Sequence, residues 1–150
     1  MAIATEPARS IVRIKPIIVV VPAAVGVLAG NLLIYVIGRA CGGTFTYAQN
    51  GKAIRVDAAA VAFMSVVPLV IGLTLVGWLS RTRPTLITIA KVVAPVLAVA
   101  TIGLMTIPAR FDNTSTLFLA TMHITLAPAA VLALGALAPR RWTSRGQSLS

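Results

Sequence analysis

The stretch DAAAVAFMSVVPLVIGLTLVGWLSRTRPTLITIAKVVAPVLAVATIGLMTIP (Asp57–Pro108) decides the fold. It holds two apolar runs, each longer than twenty residues, joined only by SRTRP at residues 80–84. About 20 apolar residues in helical form cross a hydrocarbon core of about 30 Å. A link this short makes the two spans antiparallel neighbours. Pro84 suits the first turn of the second helix, where no amide donor is required. Lys91 is the one charge inside these runs, and its long stem can carry the ammonium toward the nearer headgroups.

The same signal recurs at Pro16–Gly38 and Ser115–Ala138. The chain has 150 residues, 58% of them hydrophobic and 11% charged. Ordinary soluble domains are about 45–50% apolar and about 25% charged. The predicted architecture is an all-α membrane protein, a four-helix antiparallel bundle with spans at 16–38, 57–79, 84–108 and 115–138. Residues 1–15 form a basic leader to this domain and 139–150 a basic tail. Each span carries an internal proline (Pro22, Pro68, Pro95 and Pro128), read as a bend that neighbouring helices accommodate.

The net charge of +10 follows the membrane rather than nucleic acid. Arg13 and Lys15 precede the first span, Arg81 and Arg83 sit between the second and third, and Arg140 and Arg141 follow the fourth. Lys and Arg beside span ends mark the cytoplasmic side. Both termini are therefore expected in the cytoplasm of a cell whose plasma (inner) membrane holds the chain. These six residues are the expected contacts with anionic headgroups. The start resembles a signal peptide, but its apolar run is too long and no cleavage site stands out. Neither cleavage nor lipidation is expected. Cys41 has no partner within the chain, which excludes an internal disulfide.

The first outer loop carries a second structural signal. FTYAQNGKAIRV (Phe45–Val56) sets Asn50-Gly51 between two alternating runs. Asn-Gly favours a type I′ turn, whose two central residues have positive φ. A two-residue turn pairs Gln49 with Lys52, Tyr47 with Ile54 and Phe45 with Val56. The result is a short extracytoplasmic β-hairpin across 44–56, with those last four residues on one face against the bundle.

Candidate site residues come from the few polar groups inside the spans. Small residues let membrane helices approach, and they form stripes: Pro22, Gly26 and Gly30 in the first span, and Ala120, His123, Ala127 and Ala130 in the last. His123, the only histidine, lies roughly 12 Å below the outer end of its span at 1.5 Å per residue. Asn31 and Ser65 fall at similar depth, and Thr101 approaches it from below. These four form the predicted outer-leaflet polar layer, with Tyr35 as its cap. Two readings compete: neutral His123 ties helices together by hydrogen bonds, or the layer lines a cavity that binds a ligand. The first is favoured, because no carboxylate inside a span accompanies the histidine. Asp57 suits a helix cap and Asp112 a turn.

Other chemistry is not signalled. One cysteine and one histidine do not make a zinc site. There are no paired carboxylates for acid–base work and no nucleotide fingerprint. No enzyme activity, metal or cofactor is expected.

GNLLIYVIGRACGGTFTY (residues 30–47), VDAAAVAFMSVVPLVIGLTLVGWL (56–79) and STLFLATMHITLAP (115–128) together resemble a family of small actinobacterial four-span membrane proteins, catalogued as a domain of unknown function. The resemblance covers Pro16–Leu137 and implies topology and lineage, with no activity and no catalytic residues to carry over. The leading functional expectation is a structural or accessory protein that partners a larger envelope complex or itself. The alternative is binding or transport of a small apolar or lipid-like molecule through the layer around His123.

Overall fold

The computed structural model describes residues 15–138, together with the backbone of 11–12 and 140–141. Its element order is β1 (Ile11–Val12), α1 (Pro16–Ala40), β2 (Thr46–Gln49), β3 (Lys52–Arg55), α2 (Ala58–Leu79), α3 (Thr85–Thr101), α4 (Asn113–Leu137) and β4 (Arg140–Arg141). A π-helical turn, Ile102–Thr106, continues α3. With that turn included, all four helices are long and apolar enough to cross a bilayer. The antiparallel pairing of β1 with β4 brings the two ends of the bundle sequence together. Arg13 and the side chains of Arg140 and Arg141 lie outside the described residues.

The helices start where their caps lie. Asp57 accepts a 2.8 Å hydrogen bond from the Ala60 amide, and Asp112 accepts one from the Ser115 amide, also 2.8 Å. Each carboxylate thereby satisfies an orphan donor of a first turn. Asp112 is thus a cap and not merely a turn residue, and α4 begins two residues before the expected Ser115. The internal prolines end none of the helices.

The hairpin has the expected register. Gln49 pairs with Lys52 and Tyr47 with Ile54, while the Val56 amide donates to the Phe45 carbonyl at 2.8 Å. Asn50 and Gly51 have φ of 51° and 74°, as a type I′ turn requires. Phe45 is fully buried and Val56 packs beside it; Tyr47 leans on Phe111 with ring centroids 5.1 Å apart. Ile54 departs from the expected face and stays exposed.

Packing corrects one inference from the short link. α1 packs against α2 and α4, and α4 also packs against α3, but α2 and α3 barely touch. The spatial row is α2, α1, α4, α3, with the two outer helices joined by the Ser80–Pro84 turn. Sequence adjacency sets their antiparallel direction and not their contact. Only 6% of the α3 span is buried within the chain, against 22–28% for the other three.

Two apolar clusters stack along the bundle axis. Toward the basic turn lie Val20, Val27, Leu69, Leu73, Ala133 and Leu134. Toward the hairpin lie Tyr35, Phe45, Val61, Leu119 and Met122. Asn31, Ser65 and Thr125 fall between them. Tyr35 belongs to the hairpin-end cluster, one turn beyond Asn31, with its ring 4.9 Å from that of Phe45.

Candidate functional site

On α1 the order is Val27, Asn31, Tyr35, and on α2 it is Val61, Ser65, Leu69. Each polar residue therefore stands one helical turn from an apolar anchor on either side. Asn31 is 1% exposed and Ser65 5%. The Asn31 Nδ2 donates to Ser65 Oγ at 2.8 Å. The Thr125 hydroxyl lies 2.9 Å from Asn31 Oδ1 and 2.8 Å from the Met122 carbonyl, so its one proton serves either acceptor. This knot joins α1, α2 and α4. Among the described residues, no buried side-chain nitrogen or oxygen is left without a partner.

Of the four expected layer residues, the structure joins Asn31 and Ser65 and leaves the other two outside the knot. His123 Nδ1 lies 2.8 Å from the Leu119 carbonyl, one turn back on its own helix. The helix-tying role expected of it belongs to Thr125. Thr101 donates to the Leu97 carbonyl, again within its own helix. The reason is angular: residues 123 and 125 sit about 200° apart around α4. Thr125 faces α1, and His123 faces the other way.

His123 faces a cleft. Because α2 and α3 stand apart, a cleft of about 350 Å³ opens between them, with α4 as its floor. One face of each helix lines it, at spacings of three and four residues: Ser65, Leu69 and Leu73 on α2, Ala94 and Thr101 on α3, and His123 on α4 among them. From Ser65 to Val76 the lining runs about 16 Å at 1.5 Å per residue. Ser65, Thr101 and His123 are its only hydrogen-bonding side chains, and all three stand at the end nearer the hairpin. The rest is aliphatic. Met64, Val93 and Leu97 on the rims are largely exposed, so the cleft opens sideways, toward lipid.

The glycines of the small-residue stripes do not close helix contacts as expected, whereas Ala130 is buried with Ala94 packed against its cluster. A Cβ placed on Gly26, Gly30 or Gly72 would meet nothing within 4 Å. Gly26 and Gly30, with Pro22, border a second groove of about 300 Å³ between α1 and α4, and Gly72 borders the cleft. The tight glycines are elsewhere. A Cβ on Gly43 would lie 2.8 Å from the Gly38 carbonyl oxygen, and one on Gly38 would lie 2.8 Å from the Phe45 ring.

A polar lock holds the hairpin end. Asp112 accepts from Ser115 Oγ (2.6 Å), Thr44 Oγ1 (2.7 Å) and the Thr44 amide (3.2 Å), besides the capping bond. The Phe45 amide donates to Ser115 Oγ at 2.8 Å, which binds the loop to α4. The two hydroxyls and the amides hold the Asp112 carboxyl well below the usual carboxylate range. Arg39 donates to the carbonyls of Gly43 and Thr44, each at 3.0 Å. Cys41 caps the end of α1 and is exposed. The sequence signalled only Asp112, because Thr44 and Phe45 reach Asp112 and Ser115 across 68 and 70 residues.

At the other end, Lys15, Arg81 and Arg83 are exposed. The Lys91 ammonium reaches along α4 to 3.7 Å from where a Cβ on Gly135 would sit. Among the described residues, no three of His, Cys, Asp and Glu come together as metal ligands would.

Four bilayer-length helices under an antiparallel hairpin define a small multi-pass membrane protein. Residues 12–141 match the model of the family described as a family of unknown function, DUF6069, and the chain belongs to that family. No curated protein and no solved structure matches the chain.

Proposed function

We propose that the protein binds an apolar, chain-like molecule of the bilayer in the cleft between α2 and α3. The observation that carries this reading is the cleft itself: two spans joined by a five-residue turn stand apart, and the space between them is aliphatic along about 16 Å with polar groups at one end. That length matches about one leaflet of a hydrocarbon core about 30 Å thick. The volume lies at the lower end of the roughly 300–1,000 Å³ typical of ligand pockets. The role is one of binding and not catalysis, since His123 has no acid or base partner in the spans. Arg81, Arg83 and Lys15 support an orientation with the basic turn and both termini in the cytoplasm and the hairpin outside.

Native mass spectrometry of protein extracted from its own membrane tests the proposal. A retained lipid-like adduct is expected, at about one per chain, that disappears in Gly72→Leu, whose side chain would enter open space in the cleft. Copurified lipid with the same composition as the bulk extract, unchanged by Gly72→Leu, overturns it.

A second reading, the accessory subunit, has one observation in its favour. All four residues of β3 are exposed, so one strand of the hairpin offers its edge away from the bundle. A partner that adds a strand there would cross-link to Lys52 in the native membrane, and Lys52→Arg would leave its co-purification intact but remove the amine-specific cross-link. Recovery of only monomer or homo-oligomer after cross-linking sinks that reading.

A further inference from the structure

We infer that the cleft selects its occupant by a neutral hydrogen-bond donor, a hydroxyl, received by His123 Nε2. The inference rests on the cleft being a binding site and adds the chemistry of the headgroup and its direction.

The Leu119 carbonyl fixes the tautomer of His123. His123 Nδ1 lies 2.8 Å from the Leu119 carbonyl, and a carbonyl only accepts, so Nδ1 carries a proton. Of the three acidic residues in the chain, Asp57 and Asp112 lie in the described part, and both cap helices at the hairpin end. An imidazolium within the hydrocarbon would have no counter-charge beside it, which makes the charged ring costly. The ring is therefore neutral, and Nε2 is an acceptor with a lone pair.

Nδ1 is turned back on α4, which leaves Nε2 on the opposite side of a ring that lines the cleft. No hydrogen bond to Nε2 occurs among the described residues. The two neighbouring hydroxyls fit the same chemistry. Thr101 has given its proton to the Leu97 carbonyl and can only accept. Ser65 Oγ already accepts from Asn31 and keeps its own proton. The polar end thus offers two acceptors, one donor and no cation. An alcohol matches this set as donor to Nε2 and acceptor from Ser65. A carboxylate does not match, because its lone pairs would face that of Nε2.

The lining then sets direction. From His123 the cleft runs along Leu126, Ala130 and Leu134 toward the basic turn. The hydroxyl sits at the polar end, about 10–15 Å below the hairpin end of the helices, and the chain points toward the cytoplasmic leaflet. The ligand class is a hydroxyl-headed apolar chain, whether a long-chain alcohol, an isoprenoid alcohol or a glyceride.

The test uses full-length protein in nanodiscs and a diazirine-labelled dodecanol as the captured probe, with dodecanol, dodecyl methyl ether and dodecanoate as competitors. Dodecanol should compete about 3- to 20-fold better than the ether, the worth of one hydrogen bond inside a membrane. His123→Leu should abolish that preference and leave the ether's affinity unchanged. The variant should fold, since His123 makes its only observed hydrogen bond within its own helix. Gly72→Leu should abolish capture of the probe altogether. Equal competition by alcohol and ether, or a preference for dodecanoate, overturns the hydroxyl assignment while the cleft remains a chain site. No saturable capture of any probe sinks both.

Discussion

Breaking the Asn31 knot has a magnitude that the structure constrains. Asn31→Ala removes the 2.8 Å donation to Ser65 and the 2.9 Å acceptance from Thr125. Hydrogen bonds between membrane helices average about 0.6 kcal/mol and reach about 1.7. Thr125 loses less than a full bond, because its proton can settle on the Met122 carbonyl at 2.8 Å. The Asn31 side chain is almost wholly buried, so a void also remains. A water-sized void of about 30 Å³ costs about 0.7 kcal/mol at about 24 cal/mol per Å³. The expected loss for Asn31→Ala is thus about 2 kcal/mol. Ser65→Ala removes one bond and should cost about 0.6–1.7 kcal/mol. The double variant isolates the pair: a coupling of about 0.6–1.7 kcal/mol is expected by double-mutant cycle, from equilibrium unfolding in mixed micelles. His123→Ala serves as the comparison, because it should couple to neither. Additive losses for Asn31 and Ser65, within about 0.3 kcal/mol, would refute the knot as the tie between α1 and α2.

Three further outcomes follow from the same geometry. Asp112 is held as a carboxylate in the folded state, so its contribution is full above the usual carboxylate value near 3.9 and is lost as pH falls below it. The melting temperature should therefore drop in acid for the native chain, and Asp112→Asn should flatten that acid limb; an identical acid profile in both would count against the lock. Gly43→Ala should cost about 1–3 kcal/mol, because the new methyl meets a backbone oxygen at 2.8 Å, whereas Gly26→Ala should stay within about 0.5 kcal/mol in the same unfolding assay. A membrane-impermeant maleimide added to intact cells should label Cys41, which is exposed at the hairpin end; labelling only after lysis would reverse the orientation.

The parts of the fold legible in the sequence are those with a period or a local rule. Length and apolarity mark the spans, and Asn50-Gly51 with its alternating flanks fixes the hairpin register residue by residue. Direct neighbours in space were harder to read. The five-residue turn fixes how α2 and α3 run, but side packing decides whether they touch. α3 offers the chain one buried contact residue within its helix, Ile87. The polar layer was half legible for a related reason. Depth along a helix follows from counting, so Asn31 and Ser65 could be matched. Rotation about the axis does not follow when a helix has two interior faces. α4 packs on both α1 and α3, with Thr125 on one face and His123 on the other. A stripe search that admits one face finds only the second. Thr125 could have been found by its spacing from Met122 and Ala129, at three and four residues, on the face that meets α1.

The same asymmetry explains why the cleft lies where it does. α1, α2 and α4 are tied by side-chain hydrogen bonds through Asn31, in a setting where apolar surface gives little drive for helices to associate. α3 has no such tie among the described residues, and Thr101 and Lys91 are turned to its own backbone and to the basic end. It is held by small-residue contact with α4 and by its turn to α2. The aliphatic faces of α2 and α3 are thus left facing each other across the gap that the proposed bilayer ligand would fill. A chain seated there would supply the contact between α2 and α3 that the sequence does not. Its binding would stabilise the bundle by mass action, with α3 as the element that gains most. The glycine and alanines along the gap make physical sense on this basis, since Gly72, Ala94 and Ala98 keep open a space that larger side chains would close.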